Sequence, residues 1–216
     1  MLYIVATPIG DPKDISLRAL EILKNCENII TEERKVGSAL IRSHELGKKN
    51  YFELNEHSTP EQIDELTEIC KNQNVALISD CGTPLFCDPG SELIKRCRGL
   101  NIKVTAVPGA SSLMVLLSLS SRRLNQFLFY GFLPQKTEER RPAYMQIKKS
   151  SVPVIIMDTP YRFAKTVSEI KEHMPEKNCL LGIDLTTGTE IIFEGKGAQL
   201  DISGYPQKAE FIAMIY

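Results

Sequence analysis

Residues 75–90 read VALISDCGTPLFCDPG. The run Val75–Ser79 is apolar almost throughout, which predicts a strand buried on both faces, as in a parallel sheet. Residues 80–90 are crowded with Gly, Pro and Asp and predict turns, and a helical pattern then continues to about Arg98. The same order recurs twice more. Leu2–Ala6 is an apolar run stopped by Thr7-Pro8-Ile9-Gly10. Ile102–Val107 predicts a strand stopped by Pro108-Gly109, followed by an apolar helix over Ala110–Ser120. In a parallel sheet the C-terminal ends of the strands share one edge, and ligands bind there. Gly at such an end lets the backbone approach a ligand closely, and Ser111 and Ser112 add hydroxyls at a helix start. One such loop reads most simply as a tight turn; three from one sheet edge predict a ligand site.

Between these segments the pattern alternates. Asp14 is expected to cap a helix carrying Ile15, Leu17, Leu20, Ile22 and Leu23. A strand near Asn28–Thr31, a helix near Lys35–His44 and a strand at Tyr51–Leu54 follow. Thr59-Pro60 opens another helix, with proline in its first turn. Strand and helix in alternation are the signature of an α/β sheet with crossover helices. The polar, basic stretch Ser120–Asn125 predicts a domain boundary, dividing the chain into an N-terminal α/β domain, 1–119, and a C-terminal domain, 120–216. In the second half, strands are expected at Phe127–Phe132, Val152–Met157, Leu180–Leu185, Glu190–Glu194 and Glu210–Ile215, with helices at Thr137–Lys149 and Tyr161–Met174. This half reads as mixed α/β with more antiparallel character.

The chain has 216 residues, 43% hydrophobic and 25% charged, with 26 Lys and Arg against 27 Asp and Glu. Length and composition suit packed domains and exclude collagen-like or low-complexity chains. A formal charge of −1 gives no global signature of nucleic-acid binding, which leaves only a local patch. Six cysteines without a CxxC pair, and no HExxH, argue against a disulfide scaffold and against metal. No apolar run approaches about 18 residues, so no membrane span is expected. A reducing cytoplasm fits the cysteine usage. Cys26, Cys70 and Cys97 are expected in the core, and Cys81 and Cys87 as small residues within a loop. No GxxxxGK[ST] and no GxSxG occurs, and Gly195-Lys196-Gly197-Ala198-Gln199-Leu200 lacks the third glycine of a dinucleotide fingerprint.

The stretches LYIVATPIGDPKDISLRALEIL (2–23), VALISDCGTPLFCDPG (75–90), VPGASS (107–112) and FLFYGFLPQKTEERR (127–141) resemble the tetrapyrrole methylase superfamily. Within it they are most similar to the ribosomal RNA small-subunit methyltransferase I type. The resemblance is colinear over nearly the whole chain. It implies two α/β domains, a mainly parallel N-terminal sheet and a mixed C-terminal sheet, with S-adenosyl-L-methionine in the cleft between them. It also implies a homodimer that methylates the 2′-hydroxyl of a cytidine in small-subunit ribosomal RNA. Carried over residue by residue, Pro8, Ile9 and Gly10 would form one wall of the cofactor site. Asp80, Gly82, Thr83 and Phe86 would line its methionine side, and Ser111 and Ser112 would face it. Met157 and Leu185 would come from the second domain, though both also suit a plain core.

Some positions depart from the family pattern. Glu32-Glu33-Arg34-Lys35 stands where Glu-Asp-Thr-Arg is usual, Asn55-Glu56-His57-Ser58 where His-Glu-His-Asn is usual, and Asp11 follows Gly10 in place of Asn. The family also continues beyond its last strand into a C-terminal helical region, whereas this sequence ends at Tyr216.

A hydroxyl acceptor needs a proton acceptor. Glu56 and His57 are the candidates, with Glu32 and Lys35 on a neighbouring loop; an imidazole is the side-chain type suited to exchanging protons at physiological pH. Arg122, Arg123, Lys136, Arg140 and Arg141 flank the second domain's first strand and are expected to contact RNA phosphates. Two other readings share the cofactor loops: a methylase of a tetrapyrrole or another small molecule, and a cofactor-binding protein without catalysis.

Overall fold

The three inner strands of the first half are short and buried on both faces, and each face has its own helices. In the computed structural model, which describes residues 1–216 apart from the side chain of Ile202, the chain divides by internal contacts into Met1–Ser111 and Ser112–Tyr216.

In the first unit the strands are β1 (Leu2–Val5), β2 (Asn28–Thr31), β3 (Asn50–Glu53), β4 (Val75–Ile78) and β5 (Val104–Val107). They form one sheet in the order β3-β2-β4-β1-β5, and every pairing is parallel. The helices are α1 (Leu17–Asn25), α2 (Arg34–Ser43), α3 (Pro60–Asn72) and α4 (Ser91–Gly99). Strand residues alternate between two cores. Val5, Ile29 and Ile78 pack with Ala19, Leu23 and Ile41 of α1 and α2. Leu2, Val75 and Leu77 pack with Leu66 and Cys70 of α3 and Leu93 of α4. Covering both faces explains why the strands read as continuous apolar runs. Each fully buried Leu or Ile contributes about 1.5–3 kcal/mol.

This arrangement positions a site. β1 and β4 are neighbours, yet the helix after β1 lies on one face and the helix after β4 on the other. Where crossovers part in this way a crevice opens at the strand C-termini.

Local chemistry sets the ends. Thr59 caps α3 in a reciprocal capping box with Gln62. The expectation for Asp14 is corrected: Pro12–Asp14 is a 3-10 turn, and Ser16 caps α1 by accepting from Ala19 N–H. Cys26, Cys70 and Cys97 are buried, and burial pushes the Cys70 thiol up to about 12.

The second unit contains α5 (Ser112–Ser118), β6 (Leu128–Phe132), α6 (Thr137–Lys149), β7 (Val154–Met157), α7 (Phe163–His173), β8 (Asn178–Ile183), β9 (Ile191–Lys196) and β10 (Phe211–Ile215). The sheet order is β6-β7-β10-β8-β9. β6 and β7 are parallel and the remaining pairings antiparallel, the mixed sheet expected. α5 packs on β10 and β8; a Cβ at Gly182 of β8 would lie 3.2 Å from Leu116 Cδ1 of α5. This packing places α5 with the second unit, so the chain divides after Ser111 and not after 119.

The second core centres on Tyr144, Phe163, Ile156, Leu181 and Ala213. Within it lies a charged knot. Arg140 is 1% exposed. Its guanidinium donates to Asp158 Oδ2 at 2.7 Å, Glu169 Oε2 at 2.6 Å, Thr166 Oγ1 at 2.9 Å and the Pro134 carbonyl at 3.0 Å. The expectation that Arg140 contacts RNA phosphate is therefore corrected: its donors are consumed inside the second unit, and none faces solvent.

Candidate functional site

The C-terminal edge of the first sheet brings its three Gly/Pro loops together by direct bonds. Thr7, buried at the end of β1, donates its N–H to the Gly82 carbonyl at 2.8 Å. Its hydroxyl reaches the same oxygen at 3.3 Å, and Ser79 Oγ donates to it at 2.9 Å. That carbonyl is pinned because Gly82 turns back with φ +81°, a conformation glycine adopts without strain. Cys81 Sγ lies 3.7 Å from the Ile9 carbonyl. From the third loop, the Ala110 carbonyl accepts from Thr83 Oγ1 at 3.0 Å. A Cβ at Gly109 would stand 2.9 Å from Ala6 Cβ. Segments far apart in sequence thus meet along one edge, the first two backbone to backbone and the third through the Thr83 hydroxyl.

Pro8, Ile9 and Gly10 are half-buried on this edge, as are Asp80 and Ser111; Ser112, the first residue of the second unit, is also half-buried. Gly82 is buried, Thr83 exposed, and Phe86 is 53% exposed. The edge offers backbone amides, small hydroxyls, one carboxylate and an uncovered aromatic ring. This donor set fits S-adenosylmethionine, which carries an amino acid head, a ribose and a flat base. At Gly82 and Gly109 the backbone lies so close to its neighbours that a side chain would intrude.

Beside these loops a small pocket opens at the ends of β2 and β4, bordered by Thr31, Glu32, Leu54, Ser79, Pro84 and Asp88. Burial, and then the carboxylates of Asp88, Asp80, Glu56 and Glu33, hold the Glu32 carboxyl above its usual range. Burial and then Asp80 do the same for Asp88. Burial raises Asp80 as well, although its carboxylate accepts from Glu33 N–H at 3.2 Å. Of the acceptor-side candidates, Glu32 is thus the one built into the pocket. Glu56 and His57 pair with each other at 3.5 Å, with 84% and 85% of their side chains exposed. Lys35 is exposed on the first turn of α2. The residue missed in sequence is Asp88. It stands inside Asp88-Pro89-Gly90, where its type is fully accounted for by a turn.

A carboxyl raised by folding contributes most stability below its ordinary range, and loses that contribution as pH rises through the raised value. Asp88→Asn is therefore expected to raise the thermal midpoint at neutral pH, by about 2–4 °C per 1 kcal/mol relieved. The gain should close toward acid pH. A lower midpoint at neutral pH, or an equal change at both, would contradict this reading.

In the second unit, Met157 ends β7 half-buried, and its carbonyl accepts from Leu133 N–H at 3.0 Å. Leu185 is 6% exposed and packs on Gly182, in a turn where Asp184 and Thr186 both have positive φ. Among the cationic candidates, Arg122 sits over the Tyr216 ring with its guanidinium carbon 5.3 Å from the centroid. Lys136 pairs with Glu139 at 3.6 Å. Arg123 and Arg141 are exposed.

Residues 1–201 match the family profile described as Tetrapyrrole (Corrin/Porphyrin) Methylases. A Neisseria meningitidis serogroup B protein named Ribosomal RNA small subunit methyltransferase I is 32% identical over 220 residues, covering 100% of this chain and 75% of that protein. A Rickettsia prowazekii protein of the same name is 36% identical over 201 residues, covering 93% of this chain and 70% of its own. Among solved structures, uroporphyrin-III C-methyltransferase from Thermus thermophilus, complexed with S-adenyl homocysteine, superposes with a TM-score of 0.65 at 18% identity. That match covers 99% of this chain and 96% of the other. The chain belongs to the tetrapyrrole methylase family of methyltransferases, and within it to the ribosomal RNA small subunit methyltransferase I group.

Proposed function

We propose that this protein transfers a methyl group from S-adenosylmethionine to a ribose 2′-hydroxyl of small-subunit ribosomal RNA. The observation that carries the reading is the convergence of the three loops on one sheet edge, Gly82 at its centre, in a chain whose relatives bear ribosomal RNA methylation in their name.

When bound, the cofactor supplies an electrophilic methyl on a sulfonium, and the protein has little covalent chemistry to perform. Its work is alignment. Pro8, Ile9, Gly10, Gly82 and Thr83 would hold the donor by backbone and hydroxyl contacts, with Asp80 toward the ammonium and Phe86, Ser111 and Ser112 closing the edge. The hydroxyl proton must leave as the new C–O bond forms. Glu32 and Asp88 hold the position for accepting it: both flank the pocket, and both carboxyls bind protons more readily than exposed ones. Glu56, His57 and Lys35 stand at the rim, where they would orient the RNA. Arg122, Arg123, Lys136 and Arg141 would meet phosphates from the second unit.

A porphyrinoid acceptor rests on the likeness of fold alone, at 18% identity, and a non-catalytic role leaves the tuned carboxyls without a task. We further read the protein as a cytoplasmic homodimer. Its cysteines are free thiols, and the edge strand β6 leaves Leu128 and Phe132 45% and 47% exposed, an apolar face suited to a second copy. Among the described residues, no helix is long and apolar enough to cross a membrane.

Incubating the protein with radiolabelled S-adenosylmethionine and small ribosomal subunits lacking the modification should place label in RNA, at a ribose resistant to alkaline cleavage. The enzyme should sediment at twice the chain mass. Label appearing in an added porphyrinoid and not in RNA would overturn the reading.

A further inference from the structure

The helix α2 breaks an electrostatic rule. It carries Arg34, Lys35 and Arg42 and no acidic residue, and two of these cations occupy its first turn, where the helix dipole disfavours them. Glu33 at the cap position makes no side-chain bond to the helix. Gly37 and Ile41 are buried against the core; Arg34, Lys35, Ala39 and Arg42 are exposed, and the spacing of four and three residues sets Lys35, Ala39 and Arg42 on one face, with Arg34 directly before them. No ion pair among the described residues involves Arg34, Lys35 or Arg42, whereas Lys71, Lys95 and Arg96 on α3 and α4 all have carboxylate partners. Arg34 lies over the Tyr51 ring, 5.8 Å from guanidinium carbon to centroid. Burial raises the Tyr51 phenol, and the positive charges of Arg42 and then Arg34 draw it back. Cations without carboxylate partners in a chain of net charge −1, flanking an aromatic ring and separated by small side chains, complement a phosphodiester backbone. The stripe starts at Arg34, two residues after Glu32, which borders the pocket.

We propose that the exposed face of α2, with Arg34, Lys35 and Arg42 around Tyr51, is an RNA-docking surface that grips phosphates next to the acceptor nucleotide. This rests on the reading of the protein as an RNA methyltransferase, and it locates the grip on the first unit, in addition to the cations considered on the second.

The test is the salt dependence of binding to a small-subunit rRNA transcript for the full chain and for Arg34→Gln/Arg42→Gln. Each phosphate that the variant no longer neutralises should flatten the slope of log K against log salt by about 0.7 for single strands or about 0.9 for duplex. The double variant should therefore reduce the slope by roughly 1.4 to 1.8, keep the wild-type thermal midpoint and keep its affinity for S-adenosylmethionine. Arg98→Gln/Lys103→Gln, which removes the same charge elsewhere on the first unit, should leave the slope near that of wild type. An Arg34→Gln/Arg42→Gln slope equal to wild type, in an enzyme that does methylate RNA, overturns this inference alone. A wild-type chain that neither binds nor methylates RNA overturns the substrate reading and this inference with it.

Discussion

Arg140→Met is expected to destabilise the protein by about 3–5 kcal/mol, lowering the thermal midpoint on the order of 10 °C. The substitution strips the Arg140 guanidinium from Asp158, whose side chain is 0% exposed, and from Glu169, at 14%, leaving Asp158 only Arg162 and Glu169 only Lys165 at 4.0 Å. It also removes the donor to the Pro134 carbonyl and one of the two hydrogen bonds of Thr166 Oγ1, which keeps its donation to Asp158 Oδ2. A buried pair is costly to halve because the surviving charge stays in a poor solvent. Removing all three charges together, as Arg140→Met with Asp158→Asn and Glu169→Gln, should therefore recover much of the loss, and that non-additivity is the signature of a coupled network. Chemical denaturation of the single and triple variants measures it. A single variant within a degree of wild type would show that Arg140 is not held as described.

Gly82→Val should cost methyl transfer about 100-fold or more while the first unit remains folded. At φ +81° an L-residue is strained by about 1–2 kcal/mol, and a β-branched one more. The new Cβ would crowd Ile9 Cγ2 at 3.1 Å and touch the Ala110 carbonyl at 3.7 Å, and the two methyls of valine extend beyond that Cβ between the loops. The loss should appear as weakened use of the donor, read from initial rates across S-adenosylmethionine concentrations. Rates within about twofold of wild type would mean that the loops need not meet at Gly82 for catalysis.

The two variants also separate what was legible in the sequence from what was not. Strands ending in Gly and Pro were readable because a buried parallel strand must be apolar on both faces and must then turn sharply; β2 and α6 fall on the residues expected. The meeting of the Gly/Pro loops on one sheet edge was readable for the same reason. Arg140 was not. A dyad such as Arg140-Arg141 looks solvated in sequence, and the carboxylates that bury it come from α7 and from the end of β7. Pairing across such separations leaves no local trace. Asp88 was hidden differently, since a turn already explains Asp before Pro-Gly, and its place with Glu32 on the lining of one pocket left no mark in the sequence. At Asp14, Pro12 sets a separate turn and hands the cap to Ser16. Helix α5 is apolar enough to suit either core, so composition placed the boundary at the basic stretch that follows it, while packing on β8 and β10 placed it before.

The most direct measurement is calorimetric titration of the purified wild-type chain with S-adenosylmethionine and with S-adenosylhomocysteine, alongside Gly82→Val. The account predicts saturable binding of both molecules to the wild type and its loss in the variant. No saturable heat with either molecule on folded wild-type protein would contradict it.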